Sequence, residues 1–508
     1  MSGRESYDVI IVGAGPAGLA VGSELARDYK VLIVDYKRKL DHCTKSWFVP
    51  RFAIEEGDAS ELLDYDKGIV YRDDDKAAVP NGVFRFLTQT YGGPEGKWPG
   101  LLEGGYPYLE EHALLKYWGN KVLDCGKDNG SKILLNCVYF DHDLLEYRFS
   151  ADSRGNASKR AVVTTSKGTF DARLLIDASG HDSLIRQKYH MSDADFYWWS
   201  VYGAVVEHPN GLEGDLTLGD YLLWGTYRDT NPDADETLSA GRPVFEYEVL
   251  KGERKDKKGK KLPPVSFPLI LYLRNTKVSK EVMKAEFDHI LRKESTTEPF
   301  HDTKIVERKW GWYPSGGISQ KVAADHVAFI GDAGCWSTPC GWGMAFILRN
   351  YKGYARKLAG ALAKEGRMGT DALSKHALQE MVNLGIHDVS QVLLDRIAAR
   401  FLSHAPAHLI DEFIKLWGLG KDQVPFIMCE QLFTLSIPHL SAMKVALTVL
   451  KRFPKSELVK IFPPEEVKTL FMEIPMFGVD WAVTELQKRI PALDKVLPRL
   501  DRSGFDFE

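Results

Sequence analysis

The sequence predicts an α/β protein whose parallel sheet, layered with helices, is assembled from separated stretches of chain. Three observations predict it. A strand–glycine turn–helix–strand unit opens the chain at residues 7–36, a second strand ends in a glycine turn at Gly180, and a third ends in one at Gly331. Between the second and third turns lies a block of aromatic-rich strands, and beyond residue 370 the pattern is helical and amphipathic.

The bulk properties set the bounds. At roughly 100–200 residues per domain, a chain of 508 residues suggests about three units, which need not be contiguous. Hydrophobic residues make up 44% and charged ones 27%, an ordinary balance that excludes wholesale disorder. Lys and Arg number 66 against 70 Asp and Glu, so the chain lacks the basic excess of a nucleic-acid binder. Six scattered cysteines form no disulfide framework, and no Cys/His cluster has metal spacing. The N-terminal residues lack a secretory apolar core, which leads us to expect a cytoplasmic protein; a targeting peptide removed beforehand would leave no trace.

The first unit runs from the buried-type strand Tyr7-Asp-Val-Ile-Ile-Val12 through Gly13-Ala-Gly-Pro-Ala-Gly18 into a helix from Leu19 to Arg27. Lys30-Val-Leu-Ile-Val-Asp35 is the next strand. In this turn Gly13 permits the tight bend, Gly15 lets a pyrophosphate approach the backbone, and Gly18 lets helix and strand pack closely. Pro16 and Ala17 complete the turn as candidate cofactor-binding residues, the phosphates sit at the N-terminus of the helix that follows, where free N–H groups point at them, and Asp35 can accept both ribose hydroxyls. A lone GxGxxG is weak evidence. With both strands, the helix and the acid, it is strong, and it marks a Rossmann-like dinucleotide site.

Residues 40–110 are rich in Gly, Pro and aromatics with little periodicity and read as loops covering a ligand. Segment 132–177 alternates like β structure and ends in Asp177-Ala-Ser-Gly180. The aromatic strands follow at Phe196–Tyr202, Tyr221–Tyr227, Val244–Val249 and Phe267–Leu273, interrupted by a lysine-rich run at 251–261 that reads as an exposed hairpin. Among them, Glu246 and Glu248 must share one face, and the aromatics serve either as core or as the wall of a flat apolar pocket. His326–Ile330 leads to Gly331-Asp332-Ala-Gly334 and a helix over Ala345–Leu362. Phe426–Leu450 is the most apolar stretch, but Glu430, Pro438 and Lys444 interrupt it, so it reads as part of a helical cap rather than a membrane span. Peripheral membrane contact stays open.

The turns at Asp177–Gly180 and Gly331–Gly334 resemble the second and third dinucleotide contacts of the FAD-binding fold of aromatic hydroxylases, geranylgeranyl reductases, flavin halogenases and lycopene cyclases. The resemblance implies FAD, with Asp332 on the ribityl chain and the turn Pro339-Cys-Gly341-Trp-Gly343 plus its helix against the isoalloxazine. Within that superfamily the chain looks most like the lycopene cyclase branch. Tyr202–Glu207, Trp224-Gly-Thr-Tyr-Arg228-Asp229 and Tyr313–Gly317 are similar to motifs of that family. The resemblance makes Trp224, Arg228 and Asp229 candidate catalytic residues. One departure stands out: where lycopene cyclases carry an acidic FLEET segment, this chain has Tyr272-Leu-Arg-Asn-Thr276, which holds no carboxylic acid. Flavin halogenases are also similar at Trp310-Gly-Trp-Tyr-Pro314, but the motif is one residue short and Thr338 stands where an Asp is usual.

The expected architecture is therefore α/β: a Rossmann-like FAD-binding three-layer domain (1–190 and 301–368), an inserted antiparallel β-sheet substrate domain (191–300) and a C-terminal helical cap (369–508). The expected activity is that of an FAD-dependent oxidoreductase, of monooxygenase or reductase type, on a hydrophobic isoprenoid-like or aromatic molecule. Redox-neutral cyclisation, halogenation and non-catalytic carotenoid or lipid binding stay open, and reductant would come from NAD(P)H or a flavin reductase. No metal is expected.

Overall fold

The computed structural model describes residues 4–374, with breaks at 41–45, 71–82, 88–94, 100–106, 149–156, 190–196, 213–220, 225–242, 316–322, 337–342 and 364–367 and at a few isolated positions. Beyond 374 it describes Ala405, Leu409, 451–462 and Pro464.

The first sheet is built around β1 (Glu5–Val12), whose apolar run is buried on both faces, as a central parallel strand requires. It pairs in parallel with β2 (Val31–Val34) on one side and β10 (Gly168–Asp177) on the other. Beyond β2 lies β7 (Lys132–Leu134). Beyond β10 lies β19 (Val327–Phe329), edged by the short antiparallel β18 (Ala323–Ala324).

Helices α1 (Pro16–Leu25), α3 (Glu111–Cys125) and α6 (Gly343–Leu362) pack on one face of this sheet, around Ile11, Ile33, Trp118 and Tyr351. The other face is covered by the antiparallel ribbon β8 (Tyr139–Arg148) and β9 (Ala157–Thr165), which meets Ile10, Leu32 and Leu175. This is the expected three-layer arrangement.

The second sheet has the order β17–β11–β16–β13–β12–β4–β5. Its members are β4 (Val83–Leu87), β5 (Glu95–Pro99), β11 (Tyr197–Glu207), β12 (Tyr221–Trp224), β13 (Val244–Lys251), β16 (Val265–Arg274) and β17 (Lys304–Ser315). All of its pairings are antiparallel except β12 with β4. Helix α5 (Lys280–Lys293) covers one face through Met283, Phe287 and Ile290 against Tyr202, Phe245 and Tyr272. The opposite face carries Trp199, Phe267, Leu269, Leu271 and Leu273.

The sheet is thus wider than the 191–300 insertion and corrects the reading of 40–110 as loops. That stretch holds β4, β5, the antiparallel pair β3 (Ser46–Phe48) and β6 (Tyr108–Glu110), and helix α2 (Arg51–Glu56). Strands this short owe their order to partners distant in sequence, which local periodicity cannot register. Of the expected helical cap, the described part contains the helix Lys455–Ile461, while Phe426–Leu450 lies outside the described residues. Among the described residues no helix is long and apolar enough to cross a membrane, and no His/Cys/Asp/Glu group could hold a metal.

Candidate functional site

The carboxyl ends of β1, β10 and β19 bring the three glycine turns together. Ala178 N–H donates to Val12 O at 2.8 Å, Gly13 N–H to Val34 O at 2.8 Å, and Ile330 N–H to Asp177 O at 2.9 Å, so each turn leaves its strand already tied to a neighbour. A Cβ added at Gly13 would lie 2.2 Å from Ala178 O, and one at Gly331 would lie 2.9 Å from the Ala17 Cβ. The turns are in van der Waals contact. This is the edge of a parallel sheet at which such folds bind their ligands.

Gly15 differs from its neighbours. A Cβ built there meets nothing within 4 Å, whereas one at Gly18 would lie 2.0 Å from Gly13 O. The turn is packed at Gly13 and Gly18 and open at Gly15, the pattern of a cradle that admits a ligand at one point. Gly15 is the N-cap of α1, Pro16 begins it, no side chain caps it and no acidic residue stands in its first turn. The positive end of the helix is left to an outside anion.

Asp35, at the end of β2, is 6% exposed. Its Oδ2 accepts from Ala14 N–H at 2.6 Å and its Oδ1 from Lys37 N–H at 2.7 Å. Each oxygen keeps a lone pair for a further donor, so the carboxylate braces the glycine turn and can still accept from a ribose.

Asp177 is fully buried and turned inward. Its Oδ1 accepts from Ser179 N–H at 3.0 Å and Ser179 Oγ at 2.6 Å, and its Oδ2 from Ser183 Oγ at 2.5 Å. Burial pushes its carboxyl above the usual range, while the serine hydrogen bonds and the nearby Arg186 guanidinium favour the ionised form. Ser183 also caps α4 (Leu184–Lys188), accepting from Arg186 N–H at 3.0 Å. Asp177 therefore shapes the Ala178–Gly180 turn from below. Sequence reading overlooked Ser183 and Arg186; a Ser three positions ahead of an Arg, directly after the turn, was the available signal.

Asp332 lies in the one-turn helix Gly331–Gly334, beside the start of α6: a Cβ on Gly343 would be 3.9 Å from Asp332 Oδ1. Gly13, Gly15, Pro16, Ala17, Gly18, Asp35, Gly180, Gly331, Asp332 and Gly343 thus all belong to the turns and element ends along this edge, with Asp177 behind them. Pro339 and Gly341, and the candidate catalytic residues Arg228 and Asp229, lie outside the described residues. Trp224 ends β12, in register with Phe245 of β13 and Leu87 of β4, in the second sheet.

The two units meet beyond Gly180. Asp182 Oδ1 accepts from Lys277 Nζ at 3.1 Å, Lys277 Nζ stands 4.1 Å from the Trp198 ring centroid, and the His181 ring meets Trp198 edge-on at 5.9 Å. This junction sets the Trp198–Arg274–Pro314 end of the second sheet beside the second turn. Glu246 and Glu248 pair in register with Leu269 and Phe267, on the apolar face opposite α5.

No family model matches the chain, and no curated protein matches it in sequence. Solved structures match its fold. A geranylgeranyl bacteriochlorophyll reductase-like protein from Thermoplasma acidophilum aligns over 92% of this chain and 100% of its own, at 13% identity and a TM-score of 0.63. A variant of the halogenase PltM, solved with FAD, aligns over 93% and 96% at 13% identity and 0.53. Aklavinone-11 hydroxylase, solved with FAD and aklavinone, aligns over 81% and 71% at 16% identity and 0.51. The chain shares the fold of FAD-bearing proteins. At these identities the likeness concerns architecture, and the chemistry has to be argued from this chain's own residues.

Proposed function

We propose that the protein is an FAD-dependent oxidoreductase acting on a hydrophobic small molecule, isoprenoid-like or aromatic. The observation that carries this reading is the convergence of three turns on one sheet edge, packed at Gly13 and Gly18 but open at Gly15. The donor set fits the cofactor. The uncapped start of α1 would take the pyrophosphate, Asp35 the adenosine ribose, and Asp332 beside the start of α6 the ribityl chain. Bound there, the flavin supplies hydride transfer or oxygen activation.

The protein's own part is positioning. Asp177, Ser179 and Ser183 hold the second turn, and the Lys277–Asp182 pair holds the second sheet against it. The face carrying Trp199, Leu269, Leu271 and Leu273, which also bears Glu246 and Glu248, would contribute apolar side chains against a hydrophobic substrate. A lycopene-cyclase-like isomerisation would need its acid from elsewhere, such as Glu246 or Glu248 on that same face. In the segment that stands where FLEET would be, Tyr272 packs on the α5 side of the sheet, and Arg274 lies 5.8 Å from the Tyr272 ring centroid.

The test is reconstitution with FAD followed by turnover of candidate isoprenoids and polycyclic aromatics with reductant, read by product mass. Added oxygen or hydrogen supports the proposal. An unchanged mass with a new ring means a cyclase, an added halogen a halogenase, and bound but unchanged ligand a binding protein. Failure to bind FAD at all refutes the reading at its base.

A further inference from the structure

One aromatic side chain on the cofactor edge has no role so far. Tyr36 directly follows Asp35 and is 71% exposed, more than any other large hydrophobic side chain among the described residues. Among those residues it makes no side-chain hydrogen bond, ion pair or ring contact. The other exposed features differ in place or in company. Phe140 lies on β8, which covers a face of the first sheet rather than its edge. Trp310 is engaged by Lys280 Nζ at 4.6 Å and by the Trp312 ring at 5.1 Å. The lysine-rich hairpin of β14 (Arg254–Lys255) and β15 (Lys261–Leu262) contains no aromatic residue. A single exposed ring means little by itself. The position and the mounting of Tyr36 give it a use.

The position follows from strand order. Along the first sheet run β19, β10, β1, β2 and β7. Asp332 lies just past β19, Gly15 just past β1 and Asp35 just past β2. In the proposed function, on which this inference rests, the ribityl chain, the pyrophosphate and the adenosine ribose take those positions in that order. An FAD laid across them has one group left to place. Its adenine continues past β2 toward β7, and Tyr36, one residue or ~3.8 Å of chain beyond Asp35, stands on that side.

The mounting is rigid. Asp35 N–H donates to Leu134 O at 3.0 Å, and Cys137 N–H donates to Asp35 O at 2.9 Å. On the other side of Tyr36, Asn136 N–H donates to Lys37 O at 2.7 Å, and Lys37 N–H donates to Asp35 Oδ1 at 2.7 Å. The backbone is tied before and after the tyrosine, so only the side-chain torsions remain to be ordered when a ligand meets the ring. A flat, amphipathic side chain held this way binds at low entropic cost.

We propose that Tyr36 is the platform on which the adenine of FAD stacks, a residue that positions the cofactor through its adenosine half. Stacking uses the π face that every base offers, and it covers ring surface that water otherwise wets.

The experiment is calorimetric titration of the flavin-free, full-length protein with FAD and, separately, with ADP, which carries the adenine, ribose and pyrophosphate but no flavin. Tyr36→Ala should weaken both by the same factor, about five- to 150-fold, the range expected for loss of one base–aromatic stack. Tyr36→Phe keeps the ring and should bind both like the parent. The urea midpoints of the ligand-free variants should match the parent's, since so exposed a side chain leaves little behind. Unchanged FAD affinity in Tyr36→Ala, a Tyr36→Phe variant as weak as Tyr36→Ala, or a loss of FAD affinity without a loss of ADP affinity overturns the proposal. A parent protein that binds neither FAD nor ADP sinks the cofactor reading together with it, and is thereby told apart from a failure of Tyr36 alone.

Discussion

Gly13→Ala and Gly15→Ala make the same chemical change two residues apart and should have opposite consequences. At Gly13 the backbone has φ +112°, and the new Cβ would lie 2.2 Å from Ala178 O and 2.6 Å from its carbonyl carbon. The conformation alone costs an L-residue about 1–3 kcal/mol, and relieving the overlap by moving the turns apart costs a similar ~1–3 kcal/mol. The sum, about 2–6 kcal/mol, is a large part of the ~5–15 kcal/mol that holds a typical domain folded. At Gly15 the backbone has φ -83°, and the Cβ enters open space. Losing a favoured N-cap roughly offsets the smaller entropy of the unfolded chain, so stability should change by less than about 1 kcal/mol. The methyl group would instead occupy the space left for the pyrophosphate, and FAD affinity should fall about tenfold or more. Urea unfolding of the FAD-free variants reads the first effect, and fluorescence titration with FAD reads the second. If Gly15→Ala destabilises the apoprotein as much as Gly13→Ala does, or binds FAD as tightly as the parent, the reasoning fails.

Three further perturbations are quantifiable. Asp35→Asn exchanges a charge-assisted acceptor of the Ala14 and Lys37 N–H groups for an amide; it should cost about 1.5–3 kcal/mol in urea unfolding and weaken FAD binding measured alongside. Asp177→Ala removes the buried acceptor of Ser179 N–H, Ser179 Oγ and Ser183 Oγ, so it should cost about 1–3 kcal/mol and lower the thermal midpoint.

The third is a pH dependence. His142, between the hydroxyls of Tyr139 and Tyr189, and His208, against Ser266, are both pushed down to about 4 by burial. Folded values below the unfolded ~6.5 mean that the unfolded chain binds more protons. Each ring's stabilisation, about 3 kcal/mol, is thus present above pH ~6.5 and lost as the pH falls toward ~4. Buried Glu286, pushed up to about 7, acts in the opposite sense above its unfolded ~4.5 and offsets part of the parent's rise over the shared range. His142→Gln should flatten the rise in denaturant midpoint between about pH 4 and 6.5, and an unchanged rise would exclude this account.

Much of the first sheet was legible because its signals are local. The strand of Tyr7–Val12, the glycines behind it and Asp35 lie within one βαβ unit, and the turns at Gly180 and Gly331 each follow an apolar strand. The second sheet was legible in part. Its strands beginning at Tyr197, Val244 and Val265 announce themselves by length and aromatic content, but β4 and β5 are held by pairings that no local pattern encodes. The direction of the Asp177 side chain was not legible, for a physical reason. An acid at the end of a strand looks the same in sequence whether it faces a ligand or two serines beneath the turn, and only the third dimension decides. For Arg228 and Asp229 the resemblance remains the whole argument.

The way β4 and β5 are sewn into the second sheet bears on how the molecule is made. They leave the ribosome before β8, β9 and β10 exist, yet their neighbour β12 is a hundred and more positions downstream, and the opposite edge, β17, emerges last. The first sheet is interleaved in the same manner, since β19 is synthesised after all seven strands of the second. The first sheet is therefore completed only after the second, and the nascent chain must shelter unmatched strand edges until about residue 330 has been translated. An excised 191–300 fragment would lack three of the seven strands and present a raw edge at both sides, a template for aggregation rather than a miniature of the parent.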